Sequence, residues 1–310
     1  MARKLRVEYA GAVYHVMNRG DRREPIFLSH QDRLLFLDTL AEACRKTGWQ
    51  AHALCLMPNH FHLVVETPGA NLVAGMKWLL GTYTSRFNRR HKLFGHLFSG
   101  RYKALVVDAS GTGYLKTVCD YVHLNPVRAK LLTPAQKLSR YRWSSYPAYL
   151  LPARKRPPWL RVDRLLGEHG LPCDTPAARR EFALRMEARR AAELDHEWKP
   201  VRRGWCLGAD SFRQALLEGM RGRAGSHHGG PERRETEETW AGQMVADELK
   251  RRGWTGQDLA QRRKGDGQKL KLARRLRQET TMSLNWIAKR LNMGAAGSLA
   301  NLLRHAGRKR

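Results

Sequence analysis

Leu56-Met57-Pro58-Asn59-His60-Phe61-His62-Leu63-Val64-Val65-Glu66 reads as a tight turn feeding a buried strand. Pro58 presets its backbone angle and the Asn59 side chain can bond its own backbone, so both favour a turn. His60 to Glu66 is short, apolar and β-branched at Val64 and Val65. Side chains alternate across a strand, so His60 and His62 share a face, about 7 Å apart at roughly 3.3 Å per residue. Phe61, Leu63 and Val65 point the other way, into a core. Two imidazoles side by side are the beginning of a divalent-ion site. The same pair also fits two ordinary half-buried residues, so the question is what meets them.

The flanking pattern supplies the fold. Gly11 to Asn18 is β-rich and leads into a basic turn, Asn18-Arg19-Gly20-Asp21-Arg22-Arg23. Ser29 caps a helix with apolar Leu34, Leu35, Leu37, Leu40 and Ala41, closed by Gly48. Trp49 to Leu56 is a strand that pairs with the histidine strand. Leu72 to Arg90 is a second helix, and Gly100 to Val107 another strand carrying Arg101 and Lys103 on one face. The order β-α-β-β-α-β is the ferredoxin-like α+β arrangement. It leads us to expect two helices on one sheet face and the other face left for a ligand. Tyr102 and Phe98 beside the basic strand suggest a surface on which single-stranded nucleic acid stacks.

Thr112 to His123 is expected to be a helix broken at Asn125-Pro126, because a residue before proline is pushed out of the α region. Asn125 would then cap, and Pro126 open, a new helix from Val127 to Leu132. Tyr141 to Tyr146 reads as an aromatic turn packing back on the first domain. Arg154 to Pro158 is linker-like, and Trp159–Leu166 and Arg179–Arg190 are helical. A charged linker is expected from Ser226 to Thr239. Leu270–Gln278, Leu284–Leu291 and a helix with Leu299, Leu302 and Leu303 resemble a helix-turn-helix, with a small trihelical packing module as the alternative. The expected domains are 1–150, a basic middle region 151–239, and a helix-turn-helix-like region 240–310.

Lys and Arg exceed Asp and Glu, 57 to 28, over 310 residues, a net charge of +29. That excess implies a polyanionic partner, of which nucleic acid is the usual one. No run of about 18 apolar residues is present to span a bilayer. The opening Met-Ala-Arg-Lys-Leu-Arg lacks the apolar core of a signal peptide. The five cysteines have no Cys-x-x-Cys spacing and read as small buried residues in a reducing cytoplasm.

Four stretches together carry a resemblance: Arg19-Gly20; Met57-Pro58-Asn59-His60-Phe61-His62; Gly100-Arg101-Tyr102-Lys103; and Tyr121-Val122-His123-Leu124-Asn125-Pro126-Val127-Arg128-Ala129. Over about residues 3 to 150 the chain resembles the IS200-like HUH single-tyrosine transposases, and within them the REP-associated tyrosine transposases. The resemblance implies that His60 and His62 are metal ligands, with Asn125 matching the third, and that the ion is Mg²⁺ or Mn²⁺. It implies that Tyr121 attacks a phosphodiester to leave a 5′-phosphotyrosine, and that the substrate is single-stranded DNA bearing hairpins. Arg19, Arg22, Arg86, Arg89, Arg101 and Lys103 are the expected DNA contacts. A homodimer and a monomer are equally compatible with the sequence. The alternative is a binding protein derived from a transposase, which regulates repeated palindromes without cutting them.

Overall fold

The structure is a computed structural model that describes residues 7–191, 198, 201, 204–220, 231–280 and 282–305. The chain forms two compact units, one spanning residues 6–214 and the other taking the chain from 215 onward.

In the first unit, strands β1 (Ala12–Arg19), β2 (Gln50–Met57), β3 (His60–Thr67), β4 (Lys103–Val107) and β5 (Cys206–Leu207) form one sheet, ordered β2-β3-β1-β4-β5. The first four strands are antiparallel and have the ferredoxin-like order; β5 adds a short parallel edge to β4. Helix α1 (His30–Thr47) starts at a capping box in which Ser29 Oγ accepts from Asp32 N, and ends on Gly48 at φ +73°. A left-handed residue there costs least when it is glycine. Helix α2 (Leu72–His91) packs beside α1, and the two cover the sheet face that carries Phe61. The Phe36 ring lies 5.0 Å from both Phe61 and Tyr83.

The other sheet face is not left open. Helix α3 (Tyr114–Arg128) lies across it, and its Leu115, Val118, Cys119 and Val122 share a core with Val13, Ala53, Cys55, Val64, Leu105 and Val107. Helices α4 (Tyr146–Tyr149), α5 (Asp163–Glu168) and α6 (Pro176–Ala191) extend that core through Tyr146, Tyr149, Leu165 and Phe182. The expectation of a bare ligand face is therefore overturned. The sequence pattern underlay it, because β2 (Ala51 to Met57) is apolar on both faces and needs cover on both. The aromatic turn does pack back: Tyr141 Oη donates to Leu56 O at 2.7 Å and Ser145 N to Leu54 O at 2.8 Å.

Helix α3 also corrects the expected break. It runs unbroken through Pro126, which sits in its last turn, and Ala129 N bonds Asn125 O at 3.0 Å. Asn125 is not an N-cap. Proline removes one donor near a helix end at little cost when the next donors still find carbonyls.

After helix α7 (Asp210–Met220), the second unit contains α8 (Pro231–Arg252), α9 (Gly256–Gln261), α10 (Gly267–Glu279), α11 (Leu284–Arg290) and α12 (Ala296–His305). The expected linker is partly a helix: α8 begins at Pro231, where a proline is at home in a first turn and the following Glu and Arg residues are good helix formers. Residues 226–230 of that linker, and the basic end Arg308-Lys309-Arg310, lie outside the described residues. Leu272, Leu276, Ile287, Leu291, Met293 and Leu299 form the core of this unit. Asn292, between α11 and α12, takes φ +51°, a left-handed turn that asparagine tolerates. Lys269 is fully buried, and its Nζ donates to Arg262 O and Asn292 O at 3.1 and 3.2 Å, tying two helix ends together. No described helix is long and apolar enough to cross a membrane.

Candidate active site

The site lies where the β2-β3 hairpin meets α3. Strand register puts Arg19 opposite His60 and Met17 opposite His62, so both strands present alternate residues to α3. The His60 and His62 rings are 5.0 Å apart between centroids. His60 Nδ1 donates to Asn59 Oδ1 at 2.7 Å, and Asn59 Nδ2 donates to Arg23 O at 2.9 Å. The turn asparagine thereby fixes the imidazole and leaves His60 Nε2 with a lone pair. His62 is buried, and its Nδ1 lies 2.9 Å from His15 Nε2. In the tautomer where His62 donates, its Nε2 is also a lone pair.

Burial, with the Arg19 charge second, holds His60 down at about 4. Burial, with Arg128 second, takes His15 down to about 3. His62 is lowered well below the ordinary value, first by burial and then by His15, His60, Arg128 and Arg19. All three rings are therefore neutral near pH 7, the form in which imidazole binds a cation.

Tyr121 projects from α3 onto this cluster. Its ring centroid is 5.7 Å from His62 and 5.6 Å from His15, both edge-on. Arg128, two turns on along the same face, lays its guanidinium 4.1 Å over the Tyr121 ring and also donates to Tyr121 O. Trp198 packs against the ring at 5.6 Å and also meets Arg128 and Arg189. Tyr121 is 7% exposed. Because α3 is continuous, Asn125 falls on the same helix face as Tyr121, one turn on. It is buried, and among the described residues its Nδ2 has no hydrogen-bond partner.

The two imidazole lone pairs, each steadied by a neighbour through its other nitrogen, fit a divalent cation. Among the described residues no group of three or more His, Cys, Asp or Glu forms a complete cage. An amide or water would have to complete such a set.

The expected DNA contacts divide. Arg19 borders the histidines. Lys103 shares a sheet row with Met17 and His62 and is exposed. Arg22, Arg89 and Arg101 are exposed. Arg86 is instead engaged within the fold, donating to Thr39 Oγ1 at 2.9 Å and pairing with Glu42 at 2.8 Å. The expected stacking pair, Phe98 and Tyr102, is buried at 8% exposure each, so neither offers a ring to a base. Phe98 packs on Phe61 and Tyr83. Cys173 is exposed, unlike buried Cys44, Cys55 and Cys119, which corrects the expectation that all five are buried. Sequence reasoning missed His15, whose place two residues before Met17 on a paired strand was the available signal. It also left Arg128 without a role and overlooked Trp198, whose contact to Tyr121 no spacing foretells.

Residues 8–125 match the family described as "Transposase IS200 like". Over these residues the chain is similar to the IS200-like transposases. The matched span runs from just before β1 to Asn125 and so contains His15, His60, His62 and Tyr121. Among solved structures, a REP-associated tyrosine transposase bound to a REP hairpin is similar at 14% identity, covering 48% of this chain and 86% of that one, with a TM-score of 0.41. A candidate transposase from Deinococcus radiodurans R1 is similar at 21% identity, covering 39% of this chain and 95% of that one, with a TM-score of 0.29. No curated protein matches the chain.

Proposed function

We propose that the transposase domain cuts and rejoins single-stranded DNA at hairpin-forming palindromes, with Tyr121 as nucleophile. One observation carries this reading: the Tyr121 ring lies within 6 Å of both His15 and His62, on the face where two neutral imidazoles present lone pairs. Tyr121 Oη would attack the phosphorus as the bond to the 3′-oxygen breaks. The products are a 5′-phosphotyrosine and a free 3′-hydroxyl that takes up the proton. The ester conserves the bond energy, so the reverse attack reseals DNA without ATP.

His60 and His62, with Asn125, would hold a divalent cation, Mg²⁺ or Mn²⁺; when bound, it offsets the charge of the phosphate facing the phenol. His15 and Asn59 orient the two imidazoles. Arg128 and Arg19 add positive charge where the phosphate must arrive. Lys103, Arg22, Arg89 and Arg101 would guide the strand, whereas Arg86 serves the α1–α2 pair. The free cysteines suit a reducing cytoplasm, where the DNA would be met.

The second unit supports a separate contact with duplex DNA. Gly297, Ser298, Asn301 and Arg304 form the exposed face of α12, and Asn and Arg are the side chains that read adenine and guanine edges in a major groove. The unit could also act alone as the DNA-binding part of a protein that regulates palindromes without cutting them.

The test incubates full-length protein with hairpin-bearing single-stranded DNA and Mn²⁺. A covalent protein–DNA adduct that disappears in Tyr121→Phe supports cleavage. Tight binding without any adduct would leave only the regulatory reading.

A further inference from the structure

Phe94 is the most exposed large apolar side chain among the described residues, at 97%, with Leu93 beside it at 46%. Single exposed apolar residues are common and by themselves mean little. Three features set this one apart. The first is that its loop is fixed: Leu93 N bonds Asn88 O at 2.9 Å, and Asn88 Nδ2 donates to Gly95 O at 3.0 Å, clasping Phe94 from both sides. The ring is therefore displayed rather than left over from a loose segment.

The second is position. Asp21 N bonds Leu97 O at 3.0 Å, Ser99 N bonds Arg19 O at 2.8 Å, and Gly20 bridges Phe98. The loop is thus sewn to the end of β1 at Arg19, the residue opposite His60. Phe94 is three residues from Leu97, so at roughly 3.5 Å per residue it stands within about 11 Å of that seam. The third is charge. Residues 89–103 contain Arg89, Arg90, His91, Lys92, His96, Arg101 and Lys103, and no Asp or Glu. Arg90 and His91 are engaged with Asp32, while Arg89, Lys92, Arg101 and Lys103 are exposed. Asp21 and Glu24, also exposed, lie in the neighbouring turn.

A displayed aromatic ring in a predominantly basic surface is the combination that holds single strands: cations follow the phosphates and the ring takes a base. We propose that Phe94 is a stacking platform on which one unpaired base of the DNA strand rests as that strand enters the site. The proposal depends on the reading of the site as one for single-stranded DNA, and it assigns the stacking role expected of Phe98 and Tyr102 to a different residue.

The experiment uses full-length protein and a hairpin oligonucleotide with single-stranded flanks, carrying 5-iodouracil at successive flank positions. Irradiation should crosslink one flank position to the peptide containing Phe94. Phe94→Ala should lose that crosslink and weaken binding about tenfold, in keeping with the contribution of one stacked base. The slope of log affinity against log salt should stay unchanged, because a ring displaces no counterions. Phe94→Trp should restore binding. Binding by Phe94→Ala equal to that of the unaltered protein overturns the proposal. So does a variant that alters only sedimentation, since a second copy of the chain would then cover the ring. If the unaltered protein forms the Tyr121-dependent adduct while Phe94→Ala is indistinguishable from it, the stacking role alone fails. If the unaltered protein does not bind the oligonucleotide at all, the reading of the site fails first.

Discussion

Arg128 shows how one side chain shapes several others. It lies over the Tyr121 ring and contributes to the depression of both His15 and His62. His15 touches the proposed ligand His62, and hydrogen-bond partners of a metal ligand typically change metal affinity 10- to 100-fold. His15→Ala should accordingly weaken Mn²⁺ binding by about that factor, as measured by titration calorimetry, while His60 remains in place. Elsewhere in the same core, His123 is buried and hydrogen-bonded to Ser145 Oγ at 2.9 Å. Burial, with His169 second, takes its pKa down to about 3. The folded protein therefore keeps His123 neutral where the unfolded chain, near 6.5, would protonate. Its stabilising effect is complete above about pH 6.5 and drains away as pH falls toward 3, by at most about 1.4 kcal/mol per pH unit. Melting curves between pH 7 and 5 should show a shallower decline in His123→Gln than in the unaltered protein.

Between elements, close approach and buried charge set the tolerances. Helix α2 passes Trp49 so closely that a Cβ on Gly75 would sit 2.1 Å from Trp49 Cζ2. Trp49 is buried and its Nε1 donates to Asn71 Oδ1 at 2.7 Å, so it cannot simply turn aside. Gly75→Ala gains about 1 kcal/mol of helix propensity but should lose more to overpacking, about 1–3 kcal/mol. A lower melting temperature is the expected result. Helix α3 is clamped to α5 and α6 through Asp120, which is fully buried beside Tyr121. His169 Nε2 donates to Asp120 Oδ1 at 3.1 Å, and Arg189 Nε stands 3.3 Å from Oδ2. Asp120→Ala would remove the acceptor of His169 and the negative charge beside Arg189, and should cost about 1–3 kcal/mol, read from urea denaturation.

Across the whole molecule the net charge of +29 is the dominant field. Binding to nucleic acid should be strongly salt-dependent. With six to ten phosphates contacted, affinity should drop about 10³-fold or more between 50 and 200 mM salt, measured by fluorescence anisotropy. Asn301→Ala should reduce selection of a duplex sequence from a random pool without touching adduct formation at Tyr121, which lies in the other compact unit.

The sequence alone determined the order of strands and helices, the alternation that puts His60 and His62 on one face, and the basic character of the chain. These follow from local rules: a period of two, a period of 3.6, turn and cap residues, and a sum of charges. The sequence did not determine that α3 stays helical through Pro126, because whether a helix survives a proline depends on what packs around it. Nor did it reveal that His15 bonds His62, that Trp198 lies on Tyr121, or that Phe98 and Tyr102 are buried while Phe94 stands in solvent. Those pairings join residues far apart in the chain, and only the closing of the sheet against its helices chooses among the many such contacts a chain of this composition allows.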